Sequence, residues 1–307
     1  MTPRFIRRPL HACGRYLRDL FRSPNGTRPV PIWVVVGSFA ATASLVAAGV
    51  DAAANGSLQS NDLVTLQTDL GLVAADEFSG AAGTLPSARM WNIRTGDGGW
   101  GNDEKQTYTD SPQNVSLDGS GNLRIVARRD GDRVTSARID TLGKFDTSTG
   151  LLAVRARLPE GQGIHPAIWM LGSGLEVVGY PESGEIDIYE HVNSVQDNSV
   201  GAIGPRTDLS IKTPWKVQRR LPAAEAATPG AYHVYWVYRQ PGLVRIGLDG
   251  DTVITLTPDD IPAQSVWVMD DPFFLVLNVA AGGEWPGPVD ADALPAEMSV
   301  DWVRMYG

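Results

Sequence analysis

From Ala74 onward the chain consists of short runs in which apolar and polar residues alternate, separated by glycine, asparagine, aspartate and proline. Residues 122–128 alternate in this way, and Asp249-Gly250, a dipeptide that favours a tight hairpin turn, separates two further runs. The runs recur at roughly 8–12 residues, the spacing of a β-sandwich or barrel. No helical period over three turns and no βαβ rhythm accompanies them. The pattern predicts an all-β sandwich of two antiparallel sheets in one domain, residues 73–307.

The first 54 residues differ in composition from the rest. They contain seven arginines against two aspartates, then an apolar run without a charge over residues 33–50, and Ala52 and Ala54 fit a small-x-small cleavage pattern. This order predicts a signal peptide. Because 18 apolar residues are just sufficient to span a bilayer, an uncleaved signal anchor is the rival interpretation. Either one places the domain outside the cytoplasm, secreted or anchored to the cell membrane, after a polar linker over residues 55–72.

Charge and cysteine content exclude several function classes. The chain carries a net charge of −9. Since the first 54 residues contribute +5, seven arginines less two aspartates, the remainder carries −14. A domain this acidic does not bind nucleic acid through phosphate contacts and suits a neutral substrate. The single cysteine, Cys13, precedes the apolar run, so the domain has no disulfide framework, thiol nucleophile or cysteine metal site. Nothing in the sequence indicates oligomerisation, and we expect a monomer.

Three acids stand close together in the segment 184–192: Glu185, Asp187 and Glu190. Alternation along a strand puts Glu185 and Asp187 on one face and Ile186 and Ile188 in the core. Glu190 joins that face only if a bulge near Tyr189 adds one residue, and bulges are frequent beside active sites. Two such carboxyls at about 5–5.5 Å suit a retaining glycosidase. From these residues alone, a glycosidase site and a solvated strand face stay equally open.

A series of ordered motifs resembles glycoside hydrolase family 16, and most closely its bacterial laminarinases, which are endo-β-1,3-glucanases. The resemblance covers nearly all of residues 75–307. Glu185–Glu190 matches the family's E-x-D-x-x-E signature. The other matching segments are Asp76-Glu77-Phe78, Gly99–Tyr108 (GWGNDEKQTY), Ser136–Ile139 (SARI), Leu158–Leu171 (LPEGQGIHPAIWML), Pro272–Asn278 (PFFLVLN), Gly282–Gly287 (GGEWPG) and Val300–Tyr306 (VDWVRMY).

The resemblance implies a β-jelly-roll of the concanavalin A-like type, with a concave sheet and an open cleft for a polysaccharide. It implies endo-hydrolysis of β-1,3-glucan with retention, in which Glu185 is the nucleophile, Glu190 the general acid/base and Asp187 assists Glu185. It implies sugar-binding roles for four further residues: Asn102, Arg138, Trp169 and Trp285. No cofactor is needed for catalysis. A structural calcium ion is implied at Glu77, the Gly121 carbonyl and Asp301.

The sequence departs from the family pattern at positions that bear on the substrate. His165 stands where laminarinases usually have tryptophan, and the histidine usual before Gly-Pro is absent before Gly204-Pro205. A different β-linked glycan, cleaved by hydrolysis or transglycosylation, is therefore an alternative, as is a non-catalytic β-glucan-binding protein. The basic segment 206–222 is interpreted as a solvated loop. His191 follows Glu190 on the opposite face, which predicts a structural role.

Overall fold

The computed structural model describes residues 62–193, 196–207 and 213–307. The predicted signal segment, residues 1–54, and the start of the predicted linker lie outside these ranges. Among the residues that are described, no helix has both the length and the apolar character needed to pass through a bilayer.

The described residues form mostly short strands joined by turns. In chain order the strands are β1 (Leu72–Asp76), β2 (Asn92–Arg94), β3 (Gln106–Tyr108), β4 (Val115–Leu117), β5 (Leu123–Asp130), β6 (Arg133–Ser136), β7 (Arg138–Asp140), β8 (Asp146–Thr147), β9 (Gly150–Arg157), β10 (Ile164–Gly172), β11 (Glu185–Val192), β12 (Asp197–Gly204), β13 (Trp215–Leu221), β14 (Tyr232–Gln240), β15 (Leu243–Leu248), β16 (Asp251–Leu256), β17 (Phe273–Ala281) and β18 (Ala296–Tyr306). The helices are α1 (Asp62–Asp69), α2 (Leu175–Val178) and two 3-10 turns, Pro258–Asp260 and Ala291–Ala293.

The strands form two sheets. The ten-stranded sheet runs β16-β15-β14-β9-β18-β5-β6-β3, with β1 also on β18 and β4 on β5. The eight-stranded sheet runs β13-β12-β11-β10-β17-β7-β2, with β8 also on β17. The described pairs are antiparallel except β3 with β6. The predicted all-β sandwich is confirmed, and the predicted turn at Asp249 joins β15 to β16.

One continuous core of buried apolar side chains fills the space between the sheets. In β9, Leu152 and Val154 point into this core, while Leu151 and Ala153 belong to a separate cluster on the other face of the same sheet. This is the alternation that a half-buried strand requires. Every residue of β17 is buried, because one of its faces contacts the core and the other lies beneath a cleft.

Helix α1 lies within the segment predicted as a linker. Its Leu63 is buried, and it packs on Trp236 and Trp302 on the outer face of the ten-stranded sheet. The Thr252 hydroxyl donates a 2.6 Å hydrogen bond to an Asp62 carboxylate oxygen. With eight residues the helix is stabilised by these tertiary contacts, since isolated helices this short are marginal in water. Residues 62–69 therefore cover apolar surface that the sheet would otherwise expose.

The segment interpreted as a solvated loop is partly a strand. Residues 215–221 form β13, which pairs along its whole length with β12 at the edge of the eight-stranded sheet. The loop interpretation is wrong for these residues. Trp215 is fully buried in the core, and its indole N–H donates a 3.1 Å hydrogen bond to the Val266 carbonyl.

A buried arginine links the two sheets at one end. Arg239, on β14, is 2% exposed. Its guanidinium donates hydrogen bonds to the carbonyls of Met269 and Asp271, both at 3.0 Å, and to that of Thr147 on β8. Burial lowers the pKa of Arg239 to about 10, which still leaves the group charged at neutral pH. A buried cation is stable only where such acceptors satisfy it.

We expect Arg239→Met to lower the free energy of unfolding by about 3 kcal/mol, because it leaves three carbonyls near the core without their donor. Urea unfolding followed by tryptophan fluorescence measures this. Arg133→Met, at an exposed position on β6, is the matched control and is expected to stay within about 0.5 kcal/mol of the wild type. Equal stabilities of the two variants would contradict the linking role.

Candidate active site

A bulge in β11 brings the three acids to one face. Against β10, Asp187 pairs with Trp169 but Tyr189 pairs with Ile168, so Ile188 is an extra residue. Against β12, the register also shifts between Asp187 and Glu190. The predicted bulge is confirmed. Because of it, Ile186, Ile188 and Tyr189 are all buried in the core while the acids face a cleft.

The cleft lies on the side of the eight-stranded sheet that faces away from the core and has a volume of about 390 Å³. The three predicted catalytic acids and the four predicted sugar-binding residues all line it. The structure thus brings together, in one cavity, residues from β7, β10 and β11 and from two loops. These predicted residues are Glu185, Asp187, Glu190, Asn102, Arg138, Trp169 and Trp285.

Glu185 and Asp187 form a buried pair of interacting carboxyls. Burial raises the pKa of Glu185 to about 7, and the charge of Glu190 acts in the same direction, whereas Lys216 and a hydrogen bond from Asp187 lower it. Burial, followed by the charges of Glu190 and Glu185, raises the pKa of Asp187 well above its usual range. The hydrogen bond lowers one pKa and raises the other, so Asp187 carries the proton and donates it to the Glu185 carboxylate.

Glu190 is held by neighbours on both adjacent strands. The Ser199 hydroxyl on β12 donates a 3.4 Å hydrogen bond to Glu190 Oε2, and it accepts a 2.7 Å bond from Gln218 Nε2 on β13. On the other side, Nε2 of His165 on β10 lies 3.3 Å from Glu190 Oε1. Each carboxyl oxygen of Glu190 therefore has one polar neighbour.

Arg138 and the aromatic residues form one wall of the cleft. The Arg138 guanidinium lies 5.0 Å from the Trp100 ring and 4.6 Å from the Trp169 ring. The Trp169 indole N–H donates a 2.7 Å hydrogen bond to Asn278 Oδ1, which fixes the ring. Gly283 allows a close approach, since a Cβ there would lie 2.6 Å from the Asn102 carbonyl oxygen. Aromatic faces with adjacent donors suit the apolar faces and hydroxyls of sugar rings.

Sequence reasoning missed several residues of the cleft, among them Glu104, Lys216 and Asn278. Glu104 accepts hydrogen bonds from Gln106 Nε2 at 2.6 Å and from the Tyr108 hydroxyl at 3.3 Å. Burial raises its pKa, with opposing effects from these partners. Glu104 and Gln106 both lie in the Gly99–Tyr108 motif, and this motif could have identified Glu104 as a residue of the cleft. Lys216 could have been placed in the cleft only if residues 215–221 had been predicted as a strand.

The departures from the family pattern have clear positions. Ile203, which occupies the position of the absent histidine, pairs with Glu185 across β11 and β12. His191 is buried, and its ring nitrogens contact the side-chain oxygens of Asn198 and Asn193, away from the cleft. The predicted structural role of His191 agrees with this placement.

The residues implied for calcium lie beside β18, outside the cleft. Arg304 forms a bidentate ion pair with Glu77 at 2.8 and 3.0 Å, and Arg155 pairs with Asp301. Calcium takes six to eight oxygen ligands, and here both carboxylates are already engaged by arginine. Within the described ranges no group of three or more histidine, cysteine or acidic side chains is placed to hold a metal ion. The side chains around Glu77, Gly121 and Asp301 do not fit the predicted ion.

Comparison with known proteins gives the family. A model described as the XgeA-like, catalytic GH16 domain matches residues 102–212. A β-glucanase of Rhodothermus marinus is 36% identical over 251 residues, which cover 76% of this chain and 84% of that protein. The chain belongs to glycoside hydrolase family 16. The resemblance predicted from the motifs is confirmed, and the chain is a glycosidase of this family, in which the retaining mechanism is typical.

Two further relatives agree with the family 16 assignment. The laminarinase catalytic domain of Thermotoga maritima superposes with a TM-score of 0.67 at 35% identity, and the match covers 77% of this chain and 98% of that one. Glucan endo-1,3-beta-glucosidase A1 of Niallia circulans is 30% identical over 77% of this chain but only 38% of its own length. The match thus covers nearly the full length of the Thermotoga maritima domain but well under half of the Niallia circulans protein.

The position of Lys216 predicts a measurable shift at Glu185. Lys216 lies on β13 in register with Ile203, which pairs with Glu185, and its charge lowers the Glu185 pKa. We expect Lys216→Met to raise that pKa further above its ordinary value, because the carboxylate loses a nearby cation. Lys216→Arg keeps the charge and is expected to restore the wild-type value. Titration of 13C-labelled glutamate carboxyls by NMR, with Glu185→Gln for assignment, measures both. A lower or unchanged pKa in the Met variant would contradict this.

Proposed function

We propose that this family 16 enzyme is a retaining endo-glycoside hydrolase that cleaves β-1,3-glucan with Glu185 as nucleophile and Glu190 as general acid/base. The observation that carries the proposal is the arrangement of the two glutamates on one face of β11, across the bulge, with Asp187 between them. Relatives that share most of the domain's length are named as a β-glucanase and a laminarinase, which supports this substrate.

In the first step the Glu185 carboxylate attacks the anomeric carbon while the bond from that carbon to the glycosidic oxygen breaks. Glu190 gives its proton to the departing oxygen, and a covalent glycosyl-enzyme ester forms on Glu185. In the second step Glu190 removes a proton from water, the water oxygen attacks the anomeric carbon and the ester bond breaks. Two inversions leave the configuration retained.

The proton on Asp187 serves the first step directly. Its hydrogen bond to Glu185 lowers the pKa of that carboxyl and so favours the ionised nucleophile despite burial. When the ester has formed, Asp187 retains its own proton, so no base has to be found for it in a buried site. Trp169 and Trp285 offer ring faces for stacking, and Asn102 and Arg138 offer donors to hydroxyls.

A different β-linked glycan is the second candidate. His165 and Ile203 depart from the laminarinase pattern at positions that contact Glu190 and pair with Glu185. Such changes beside both catalytic carboxyls alter the space available to the substrate without removing the chemistry. A panel of β-glucans and galactans with linkage analysis of the products separates the two candidates.

We expect the purified domain to release reducing sugar from laminarin, with the β-anomer as first product by 1H NMR. Glu185→Gln is expected to lower kcat by at least about 10⁴-fold, since an amide cannot form the ester. Glu297→Gln is the matched control: this glutamate is paired with Arg124 on the ten-stranded sheet, remote from the cleft. Release of an α-anomer would refute retention, and no release from any β-glucan by the wild type would refute the function.

We also propose that residues 1–54 export the domain, as a signal peptide or a membrane anchor, because arginines precede an uncharged apolar run and small residues follow it. A fusion of residues 1–60 to a periplasmically active reporter is expected to give activity outside the cytoplasm. Replacing two residues of the run, Val35→Asp and Leu45→Arg, is expected to abolish it. Equal export by both fusions would contradict the proposal.

A further inference from the structure

His165 has an unusual environment for a residue outside the recognised signature. It lies on β10, two residues before Ala167, which pairs with Glu190. The residue is only 8% exposed, and its ring lines the cleft. Neither ring nitrogen has an aligned hydrogen bond within residues 62–193, 196–207 and 213–307. The nearest acidic oxygen is Glu190 Oε1, 3.3 Å from Nε2. A polar ring is thus buried with the acid/base as its nearest partner.

Packing determines where the ring can point. The His165 and Trp285 rings meet edge to face, with centroids 5.2 Å apart. Glu104 also faces the ring from the loop before β3, near enough for a charge interaction. The contact with Glu190 is long and imperfectly aligned, as catalytic hydrogen bonds often are before substrate binds. The contact with Trp285 limits rotation of the imidazole away from Glu190.

The chemistry of imidazole fits both forms of Glu190. As a general acid Glu190 has to carry a proton before the first step, and a ring N–H can then donate to its carbonyl oxygen, which leaves the O–H free for the departing oxygen. After proton transfer it is a carboxylate, and a ring N–H can donate to it. Ser199 already donates to the other oxygen, Oε2.

We infer that His165 is a positioning residue for the acid/base: it holds Glu190 Oε1 and so orients the carboxyl toward the departing glycosidic oxygen. This inference rests on the proposed role of Glu190. Together, Ser199 and His165 fix the plane of the carboxyl from two strands, β12 and β10. The histidine forms no bond to substrate, and the proton that reaches the departing oxygen in the first step comes from Glu190.

Substrates with different leaving groups separate a positioning role of His165 from a purely structural one. Cleavage of laminarin needs protonation of a poor leaving group, whereas 2,4-dinitrophenyl β-laminaribioside releases a phenolate that needs none. We expect His165→Phe to lower kcat/KM on laminarin about tenfold, a fraction of what general acid catalysis supplies. On the dinitrophenyl substrate kcat/KM is expected to stay within about twofold, because kcat/KM reports the first step.

His165→Gln is the conservative variant, since its amide can both accept and donate, and we expect it to retain most of the laminarin activity. Equal losses of kcat/KM on both substrates, no loss on either, or a Gln variant as impaired as Phe would each overturn the inference. Thermal unfolding of both variants shows whether they fold, and His165→Leu, which also lacks a hydrogen-bonding group, replaces the Phe variant if that one does not fold. A wild type inactive on both substrates would instead refute the proposed function.

Discussion

The active site depends on one extra residue in β11. Without the bulge between Asp187 and Glu190, strict alternation would turn Glu190 into the core and bring an apolar residue to the cleft. The bulge costs ladder hydrogen bonds, and burial of Ile186, Ile188 and Tyr189 in the core offsets that loss. The residues that stabilise the bulge are therefore those that face the core, away from the catalytic acids. A site and a core are specified by the same eight residues.

The second constraint is electrostatic. Like charges in a buried cleft repel and are poorly solvated, so the three acids cannot all ionise together. The sheet resolves this with a proton retained on Asp187, with Lys216 two strands away, and with Arg138 close to the rings of Trp100 and Trp169. These compensations come from β7, β11 and β13, so the strands from β13 to β7 have to assemble before Glu185 has the environment of a nucleophile.

Much of this was predictable from sequence, and the reasons are physical. Alternation and turn residues are local signals, so the sandwich, the turn at Asp249-Gly250 and the bulge in β11 could be predicted from them. The strand β13 did not, because Lys216, Gln218, Arg219 and Arg220 mask its single apolar face. Helix α1 did not, because eight residues carry too little periodicity and the helix owes its stability to a distant sheet face. The contact of His165 with Glu190 joins two strands, β10 and β11, so it cannot be predicted from the sequence of either strand alone.

The placement of α1 also bears on how the enzyme meets its polymer. The helix packs on Trp236 and Trp302, on the far side of the sandwich from the cleft. The chain thus enters the domain at the back of the catalytic face. The helix therefore leaves the mouth of the cleft open to a long glycan.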